Sequence, residues 1–478
     1  MIRQSDRPVF RVFVRPASGA LCVLALVCGV APAAVSLDDV TAAAGDAAHP
    51  APPPGGWAAE AERLTRRVRE AFWDEERGRY VSPVAAEGTV RTGDERGRYY
   101  GHTLWPLTDA FRMLAAAEAA RPGEYRQDLE DAFAALERYY DPSRSAYNAW
   151  FFGPGNLDSY SDDNAWLIMG FCEATVATGD RRYADRAAEV MENYVHAEWR
   201  DDDGPLGMRW GFRPDGPPHQ NQRAAISAST AAVAALKLAD LGVRPEENVE
   251  RAATYLEWVE STCVTPDGLT ADGLKRDGDE WRLDGRCWSY NTGLTLIGTA
   301  LLYDRTGRPE LRARLKRTAD AAIDRDGALY DEAITDPARR YPADTAFFIP
   351  HLIEGLAVAA ETLDEPKYRA EAERTAAYLY RYVRDPADGL YFRNARLRRI
   401  DATRDALFRE QWAGAFDPNR AAYRPAGDER VQSRRRWRDR GDRAERPLVK
   451  TLLPSAAVAR MYWTLAATAD DAPPPATD

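Results

Sequence analysis

The chain has 478 residues and is acidic, with 75 aspartates and glutamates against 64 lysines and arginines and a formal net charge of −11 at pH 7. This balance disfavours nucleic acids and anionic lipid surfaces as partners and is compatible with an uncharged substrate. A chain of this length usually forms two or three domains, although a single large helical barrel also reaches it.

The first 34 residues have the pattern of a signal peptide. Four arginines precede an apolar run at 21–30, and a small-residue cleavage site follows at 31–34. We therefore expect a secreted protein. No later stretch approaches the roughly 20 apolar residues of a transmembrane helix, so we expect no membrane span. Residues 35–56, rich in Pro, Ala and Gly, are predicted to be a disordered linker.

Residues 57–470 carry a repeated pattern that predicts one domain, followed by a disordered tail at 471–478. At intervals of roughly 60 to 65 residues, an apolar helix runs into a short Gly- or Pro-containing turn and then into an amphipathic helix. An apolar helix must be buried on most of its surface, and an amphipathic one on a single face. Six of each predict an all-α (α/α)6 toroid, a six-hairpin barrel with inner and outer rings of six helices. The predicted inner helices begin near Gly101, Asn164, Ala224, Tyr290, Thr345 and Leu452.

The long loops of this pattern all lead from an outer helix into an inner one, so they emerge on the face where the inner helices begin. Long loops on one end of a rigid scaffold are where sites are usually built. The last of them, an insertion at about 394–449, is rich in Arg with acids interspersed. We interpret it as a solvated, partly disordered segment, with a substrate or polyanion contact as the less favoured alternative.

Asp162 and Asp163 are adjacent carboxylates at the start of one predicted inner helix. Aspartates at helix starts commonly accept the first unpaired N–H groups, so the pair is either a cap or a catalytic couple. Its position on the long-loop face, beside aromatic residues, favours the catalytic interpretation. Rings and carboxylates together suit a carbohydrate, which offers C–H faces for stacking and hydroxyls for hydrogen bonds. The predicted substrate-binding residues at this rim are Tyr100, His102, Tyr160, Trp288, Tyr290, Asn291 and Asp344.

Little in the sequence indicates metal or cofactor chemistry. Asp-Gly pairs such as that at Asp272 lack the ordered spacing of a calcium loop and are predicted to be turns, so we expect no metal and no cofactor. A sugar epimerase on this fold is expected to use several inward histidines. Only His102 and His351 are suitably placed for that role.

Three cysteines follow the leader. In an oxidising compartment Cys263 and Cys287 could pair across one loop, whereas Cys172, inside an apolar helix, is predicted to be a core residue.

Two carboxylates without a metal or a histidine partner indicate glycoside cleavage. In the retaining mechanism one carboxylate attacks the anomeric carbon while the other, about 5–5.5 Å away, protonates the leaving oxygen. Adjacent side chains at a helix start can reach such a separation and can face different environments, which allows one to ionise while the other keeps its proton.

Three segments resemble blocks of glycoside hydrolase family 76, the endo-α-1,6-mannanase family. They are S-Y-S-D-D-N-A-W at 159–166, C-W-S-Y-N-T-G at 287–293 and F-F-I-P-H-L at 347–352. The resemblance implies an (α/α)6 barrel and a retaining enzyme with Asp162 as nucleophile and Asp163 as acid/base. It also implies that Tyr290 and Asn291 line the cleft.

The sequence therefore predicts a secreted, monomeric glycosidase that cleaves α-1,6-mannosidic bonds in α-mannan or a related cell-wall glycan through the aspartate pair. Three alternatives remain open. They are a transglycosylase that uses the same pair, a glycosidase or lyase for another polysaccharide on the same barrel, and a non-catalytic glycan-binding protein on that barrel.

Overall fold

The computed structural model of the protein describes residues 50–81, 84–85, 103–150, 153, 157–213, 222–430 and 448–468. The predicted signal peptide, most of the predicted linker and the predicted tail lie outside these residues. The described α-helices are α1 (Gly56–Phe72), α2 (Leu104–Ala120), α3 (Arg126–Leu136), α4 (Ser161–Thr178), α5 (Arg181–Val190), α6 (Ala225–Asp240), α7 (Pro245–Thr262), α8 (Ser289–Thr306), α9 (Pro309–Ala322), α10 (Ile349–Leu363), α11 (Pro366–Tyr378), α12 (Ala402–Gln411) and α13 (Leu452–Ala467).

Six of these helices close an inner ring. In order around the barrel, α2, α4, α6, α8, α10 and α13 each pack against the next, and α13 packs against α2. The outer helices α3, α5, α7, α9 and α11 each pack against the inner helix that precedes them, and α1 packs against α13. The prediction of an (α/α)6 barrel is confirmed, and each inner helix begins within about four residues of its predicted start.

The inner helices run parallel, so their N-terminal ends share one face. Glu173 and Lys237 are each the thirteenth residue of their helices, α4 and α6, and their charged atoms lie 3.2 Å apart. The short turns lie on the other face. Helix α4 ends at Gly179, whose φ of 73° requires a left-handed conformation, and Asp180 then caps α5 by accepting from the Arg182 amide.

Helices α8 and α10 touch backbone to backbone through two glycines. A Cβ added to Gly293 would lie 2.3 Å from the His351 carbonyl oxygen, and one added to Gly355 would lie 2.6 Å from the Gly293 carbonyl oxygen. These separations are far below van der Waals contact, so neither position accepts a side chain without a shift of one helix.

We therefore expect Gly293→Ala to lower the free energy of unfolding by about 1–3 kcal/mol, the usual cost of overpacking a core. Gly298→Ala, on the same helix, is the matched control, because its Cβ would meet only side-chain carbons of Leu256 and Val233 at 3.1–3.5 Å. Chemical denaturation measures both variants. Equal losses would contradict the close approach of the two helices.

Within the described residues, strands occur only in connections that lie on or beside the face where the inner helices begin. The longest form an antiparallel sheet in the order β10–β11–β12, with β11 and β12 as a hairpin. The strands are β1 (Trp73–Asp74), β2 (Arg79–Tyr80), β3 (Val84–Ala85), β4 (Tyr140–Asp141), β5 (Ala146–Tyr147), β6 (Ser159–Tyr160), β7 (Trp199–Arg200), β8 (Gly207–Met208), β9 (Gly211–Phe212), β10 (Gln222–Ala224), β11 (Ala271–Asp277), β12 (Glu280–Cys287) and β13 (Val449–Lys450).

The prediction of a solvated Arg-rich loop is wrong for residues 394–430. This segment contains α12 and is packed on the barrel, with Trp412 only 1% exposed, stacked on Phe408 and donating to the Arg339 carbonyl. Several of its arginines are paired inside the protein, as Arg398 is with Asp331. A count of charges could not reveal this packing, because an arginine that covers an aromatic ring or meets a buried acid counts the same as one that faces solvent. Residues 431–447 lie outside the described part.

Cys172, Cys263 and Cys287 are free thiols, so the suggested pairing of Cys263 with Cys287 is not formed. Cys172 is buried in α4, as predicted. No helix in the described part of the chain is long and apolar enough to cross a membrane.

Candidate active site

The first turn of α4 carries the aspartate pair and is held from both sides by other residues. The Ser161 hydroxyl donates to the Arg209 carbonyl at 2.6 Å, and the Ser161 amide donates to the Trp210 carbonyl at 2.9 Å. Asn164 donates to the carbonyls of Tyr147 and Tyr160 at 2.9 and 2.8 Å. Since Ser161 and Asn164 anchor the helix start, the two carboxyls are not needed to fix its position.

Asp162 is almost buried and is hydrogen bonded as an anion. Trp210 Nε1 donates to its Oδ2 at 3.0 Å, and the Asp163 amide donates to its Oδ1 at 3.0 Å. Burial raises the pKa of Asp162 to about 6, and these two donors oppose that rise while the negative charge of Asp272 adds to it. Asp162 therefore does accept one N–H of the helix start, yet its other oxygen faces an indole from a different loop.

Asp163 lies in a different environment. Its side chain is partly exposed, and within the described residues its carboxyl accepts no hydrogen bond. Desolvation raises the pKa of Asp163 well above its usual range, and the negative charges of Asp162 and Asp109 raise it further. Because Asp162 has two donors and Asp163 has none, Asp162 ionises first and Asp163 keeps the proton.

Tyr290, at the start of α8, faces the pair. Its ring is stacked on that of Phe348, with centroids 3.9 Å apart, and the ring centroid of Trp288 lies 5.9 Å from that of Phe348. Burial raises the pKa of Tyr290 well above its usual value, and the negative charges of Asp162, Asp272 and Asp344 add to the rise. The Tyr290 phenol is therefore within electrostatic reach of carboxyls from α4, from β11 and from the loop that precedes α10.

Asp344 and Asn291, both predicted to bind substrate, form hydrogen bonds within the protein at the start of α8. Asp344 accepts from the amide and hydroxyl of Ser289, both at 2.9 Å, and so caps α8 from a neighbouring loop. Asn291 is fully buried and donates to the Ala271 carbonyl at 3.3 Å. The first contact fixes the start of α8, and thereby Tyr290, against the loop that precedes α10, and the second fixes it against β11.

The remaining predicted residues are distributed around the same rim. Tyr160 is partly exposed and packs on Trp210, and burial raises its pKa to about 12, with the charges of Asp158 and Asp163 contributing. Trp288 is partly exposed beneath the guanidinium of Arg286, 5.5 Å from its ring centroid. Tyr100 and His102 lie outside the described residues. The structure thus brings Asp162, Asp163, Tyr160 and Tyr290 together and places Trp288 beside them.

Sequence reasoning missed Trp210, Phe348 and Asp272. Asp272 was predicted to lie in a turn, and this prediction is wrong: the residue lies within β11, 6% exposed, with Lys275 Nζ at 2.7 Å. The next residue, Gly273, has a φ of 124° and pairs so closely with β10 that a Cβ would lie 2.1 Å from the Arg223 carbonyl oxygen. The glycine therefore marks a close approach of two strands, which the Asp-Gly pattern does not distinguish from a turn.

Across the described part of the chain, no group of three or more His, Cys, Asp or Glu side chains is arranged to hold a metal ion. The rim offers two adjacent carboxyls of unequal proton affinity, the half-buried phenol of Tyr290 and the rings of Phe348 and Trp288.

Replacing Trp210 by Phe removes one hydrogen bond to the Asp162 carboxylate and keeps an aromatic ring. The anion loses a donor, so the pKa of Asp162 rises, and we expect the acidic limb of kcat/KM against pH to move up by about one unit. Trp412→Phe is the matched control, since it loses an indole hydrogen bond to Arg339 far from the pair. An unchanged acidic limb in Trp210→Phe would contradict this role.

Comparison with known proteins identifies relatives of this barrel. Residues 85–384 match the family model described as Glycosyl hydrolase family 76. Meiotically up-regulated gene 191 protein of Schizosaccharomyces pombe (strain 972 / ATCC 24843) is 30% identical over 427 residues, which cover 85% of this chain and 91% of that protein.

Solved structures share the fold. A family 76 glycoside hydrolase from a bovine Bacteroides thetaiotaomicron strain superposes with a TM-score of 0.64 at 16% identity, covering 85% of this chain and 77% of that one. An α-1,6-mannanase of Salegentibacter sp. HEL1_6, inactivated by asparagine at two adjacent aspartates and bound to α-1,6-mannotriose, gives a TM-score of 0.59 at 18% identity. The match covers 86% of this chain and 100% of that one.

Proposed function

Because the chain belongs to glycosyl hydrolase family 76 and is a glycoside hydrolase, we propose that it cleaves α-1,6-mannosidic bonds of α-mannan by a retaining double displacement. The observation that carries the proposal is the pair of adjacent carboxyls in unequal environments at the start of α4. The family match agrees with the resemblance found in the sequence.

In the first step Asp162 attacks the anomeric carbon while Asp163 transfers its proton to the glycosidic oxygen, so that the C–O bond breaks and the shortened glycan leaves. In the second step the Asp163 carboxylate takes a proton from water, and the resulting hydroxide attacks the mannosyl–Asp162 ester. The bond to Asp162 breaks, and both carboxyls return to their starting states. Trp210, which donates to Asp162 Oδ2, stabilises the anion that leaves in this second step.

Three observations support a mannan substrate. Tyr290, Phe348 and Trp288 supply rings beside the pair, on which a sugar can stack. The Salegentibacter mannanase, which shares the fold, was bound to α-1,6-mannotriose after replacement of two adjacent aspartates. An epimerase or isomerase has less support, since His351, one of the two histidines suitably placed for that role, is 1% exposed and stacked on Trp166 at 4.3 Å, and its pKa is lowered to about 3 by burial and Arg460.

Release of reducing ends from linear α-1,6-mannan, compared with α-1,2- and α-1,3-linked mannans, tests the substrate. We expect activity on the α-1,6 polymer and products of several sugar units. Longer oligosaccharides formed without a matching rise in reducing ends would favour a transglycosylase. Binding without turnover, unchanged by replacement of either aspartate, would favour a glycan-binding protein and contradict the proposal.

We also propose that the protein is secreted and monomeric. The support for secretion is the leader pattern of residues 1–34, and the acidic chain suits a neutral polymer outside the cell. N-terminal sequencing of protein recovered from culture medium, together with its mass by light scattering, tests both points. Full-length protein retained in the cell would contradict secretion.

A further inference from the structure

Below the aspartate pair, inside the barrel, lies a cluster of charged side chains that the mechanism does not use. We call it the core ion cluster. It comprises Asp109 and Arg112 of α2, Glu173 of α4, His351 and Glu354 of α10, and Arg460 of α13.

Arg460 is the centre of this cluster. It donates to Glu354 Oε2 at 2.6 Å and to His351 Nδ1 at 3.0 Å, and its Nε lies 3.4 Å from Asp109 Oδ1. Arg112 makes a separate bidentate pair with Glu173 at 2.8 and 2.9 Å. The Arg460 guanidinium is therefore shared between the carboxylates of Glu354 and Asp109. When Asp109 is ionised, these three side chains together carry a net negative charge.

Asp109 is the least satisfied acid of the cluster. It is 3% exposed, its contact with Arg460 is long, and its Oδ1 has no hydrogen-bond partner among the described residues. Burial raises the pKa of Asp109 to about 6, whereas Arg112 and Lys237 hold the pKa of Glu173 at about 2 against its own burial. Asp109 is therefore a negative charge that its surroundings only partly neutralise.

The helix geometry places Asp109 level with Asp163. The guanidinium of Arg112 lies 5.4 Å from the ring centroid of Trp166, which joins α2 to α4 at that depth. On these parallel, packed helices, Asp109 lies three residues before Arg112, and Asp163 lies three residues before Trp166. Both aspartates therefore lie one helical turn nearer the rim, on the sides of α2 and α4 that face each other.

We propose that Asp109, held by Arg460, is a positioning residue whose negative charge keeps a proton on Asp163 while Asp162 is ionised. The proposal rests on the function proposed above, because it assigns Asp163 the role of proton donor. A like charge level with the acid on the facing helix disfavours its ionisation, and the charge of Asp109 contributes to the raised pKa of Asp163.

The other charges around the two carboxyls do not replace Asp109. Those that face them are Asp162 of α4, Arg112 of α2, Arg460 of α13, His351 and Glu354 of α10, and Asp272 of β11. Arg112 and Glu354 are each engaged in an ion pair, the low pKa of His351 keeps it neutral, and Asp272 acts on Asp162.

The test is the pH dependence of kcat/KM on α-1,6-mannan for Asp109→Asn. Removal of the charge lowers the pKa of Asp163, so Asp163 loses its proton earlier as pH rises. We expect the basic limb to move down by about one pH unit while the acidic limb, set by Asp162, stays. Asp109→Glu restores the charge and is expected to return the basic limb towards that of wild type.

Asp331→Asn is the matched control, because Asp331 is a buried aspartate paired with Arg398, and its charge is not among those that raise the pKa of Asp162 or Asp163. It is expected to lower thermal stability without moving either limb. A folded Asp109→Asn enzyme with the wild-type basic limb would overturn the proposal.

A second measurement needs neither activity nor a folded Asp109 variant. The Asp162 charge also titrates near pH 6, so the measurement uses Asp162→Asn protein labelled with 13C at aspartate Cγ. The Asp163 resonance is identified by its loss in the Asp162→Asn/Asp163→Asn double variant and followed over pH. We expect two inflections, one of them near pH 6 where Asp109 ionises. A single inflection would overturn the proposal, whereas inactivity of wild type on every mannan would overturn only the proposed function.

Discussion

Asp162→Asn is expected to lower kcat/KM on α-1,6-mannan by about 10⁴-fold or more, because a neutral amide cannot form the glycosyl ester. The substitution preserves the shape of the side chain, and its one carbonyl oxygen can still accept from either Trp210 Nε1 or the Asp163 amide. Ser161 and Asn164 continue to anchor the start of α4, so the variant is expected to fold with nearly wild-type stability.

Asp180→Asn is the matched control for this variant. Asp180 is a true cap, accepting from the Arg182 amide at the start of α5 on the opposite face of the barrel. Asparagine caps a helix about as well as aspartate, so neither activity nor stability is expected to change. If Asp162→Asn lost stability and kept its activity, the pair would be a cap after all.

Asp163→Asn is expected to lower kcat/KM on mannan by about 10²–10⁴-fold, the usual contribution of a general acid. The loss depends on the substrate. An aryl mannoside with an acidic phenol needs no proton on its leaving oxygen, so its first step should be nearly as fast as in wild type. Hydrolysis of the ester then stalls, because no base activates water.

Added azide separates this role from a structural one. Azide needs no general base, so it is expected to accelerate turnover of the aryl mannoside by Asp163→Asn and to yield the α-configured mannosyl azide. Wild type, whose base is intact, should gain little. A variant with unaltered mannan activity, or one that azide does not rescue, would contradict the assignment of Asp163 as acid/base.

The helical framework follows from the sequence because burial leaves a periodic signature. The apolar helices that start near residues 104, 161 and 225 are buried nearly all round, while α5 buries one side only, with Tyr183, Ala184 and Ala187 inward. The rim position of Asp162 and Asp163 follows in turn from the alternation of long and short connections.

The side chains that tune the pair could not be predicted in the same way. Trp210 and Asp272 come from loops with short strands, where no period indicates which way a residue points. Asp109 lies inside an apolar helix, and its role depends on the depth at which α2 and α4 meet. Asp344 was expected to bind substrate, but its partners are the amide and hydroxyl of Ser289, which are 55 positions away in sequence.

The Arg-rich segment illustrates the opposite error. Its charge suggested exposure, yet Arg430 donates to the Ile400 carbonyl in the interior, and Lys450, directly after the segment, is fully buried between Asp385 and Asp388. Charged side chains of this kind are stable in the interior only when they are paired with opposite charges or hydrogen-bonding groups. Pairing is a property of the folded chain, and a composition count cannot distinguish it from solvation.

Covalent trapping is the most direct test of the central claim. A 2-deoxy-2-fluoro-α-mannosyl fluoride forms the glycosyl ester but hydrolyses it slowly, because fluorine at C2 disfavours the oxocarbenium-like transition state. Peptide mass spectrometry of the treated wild-type enzyme is predicted to find one fluoromannosyl group on Asp162, absent from Asp162→Asn. A label on another residue, or a product of inverted configuration with no label, would contradict the retaining mechanism through Asp162 and Asp163.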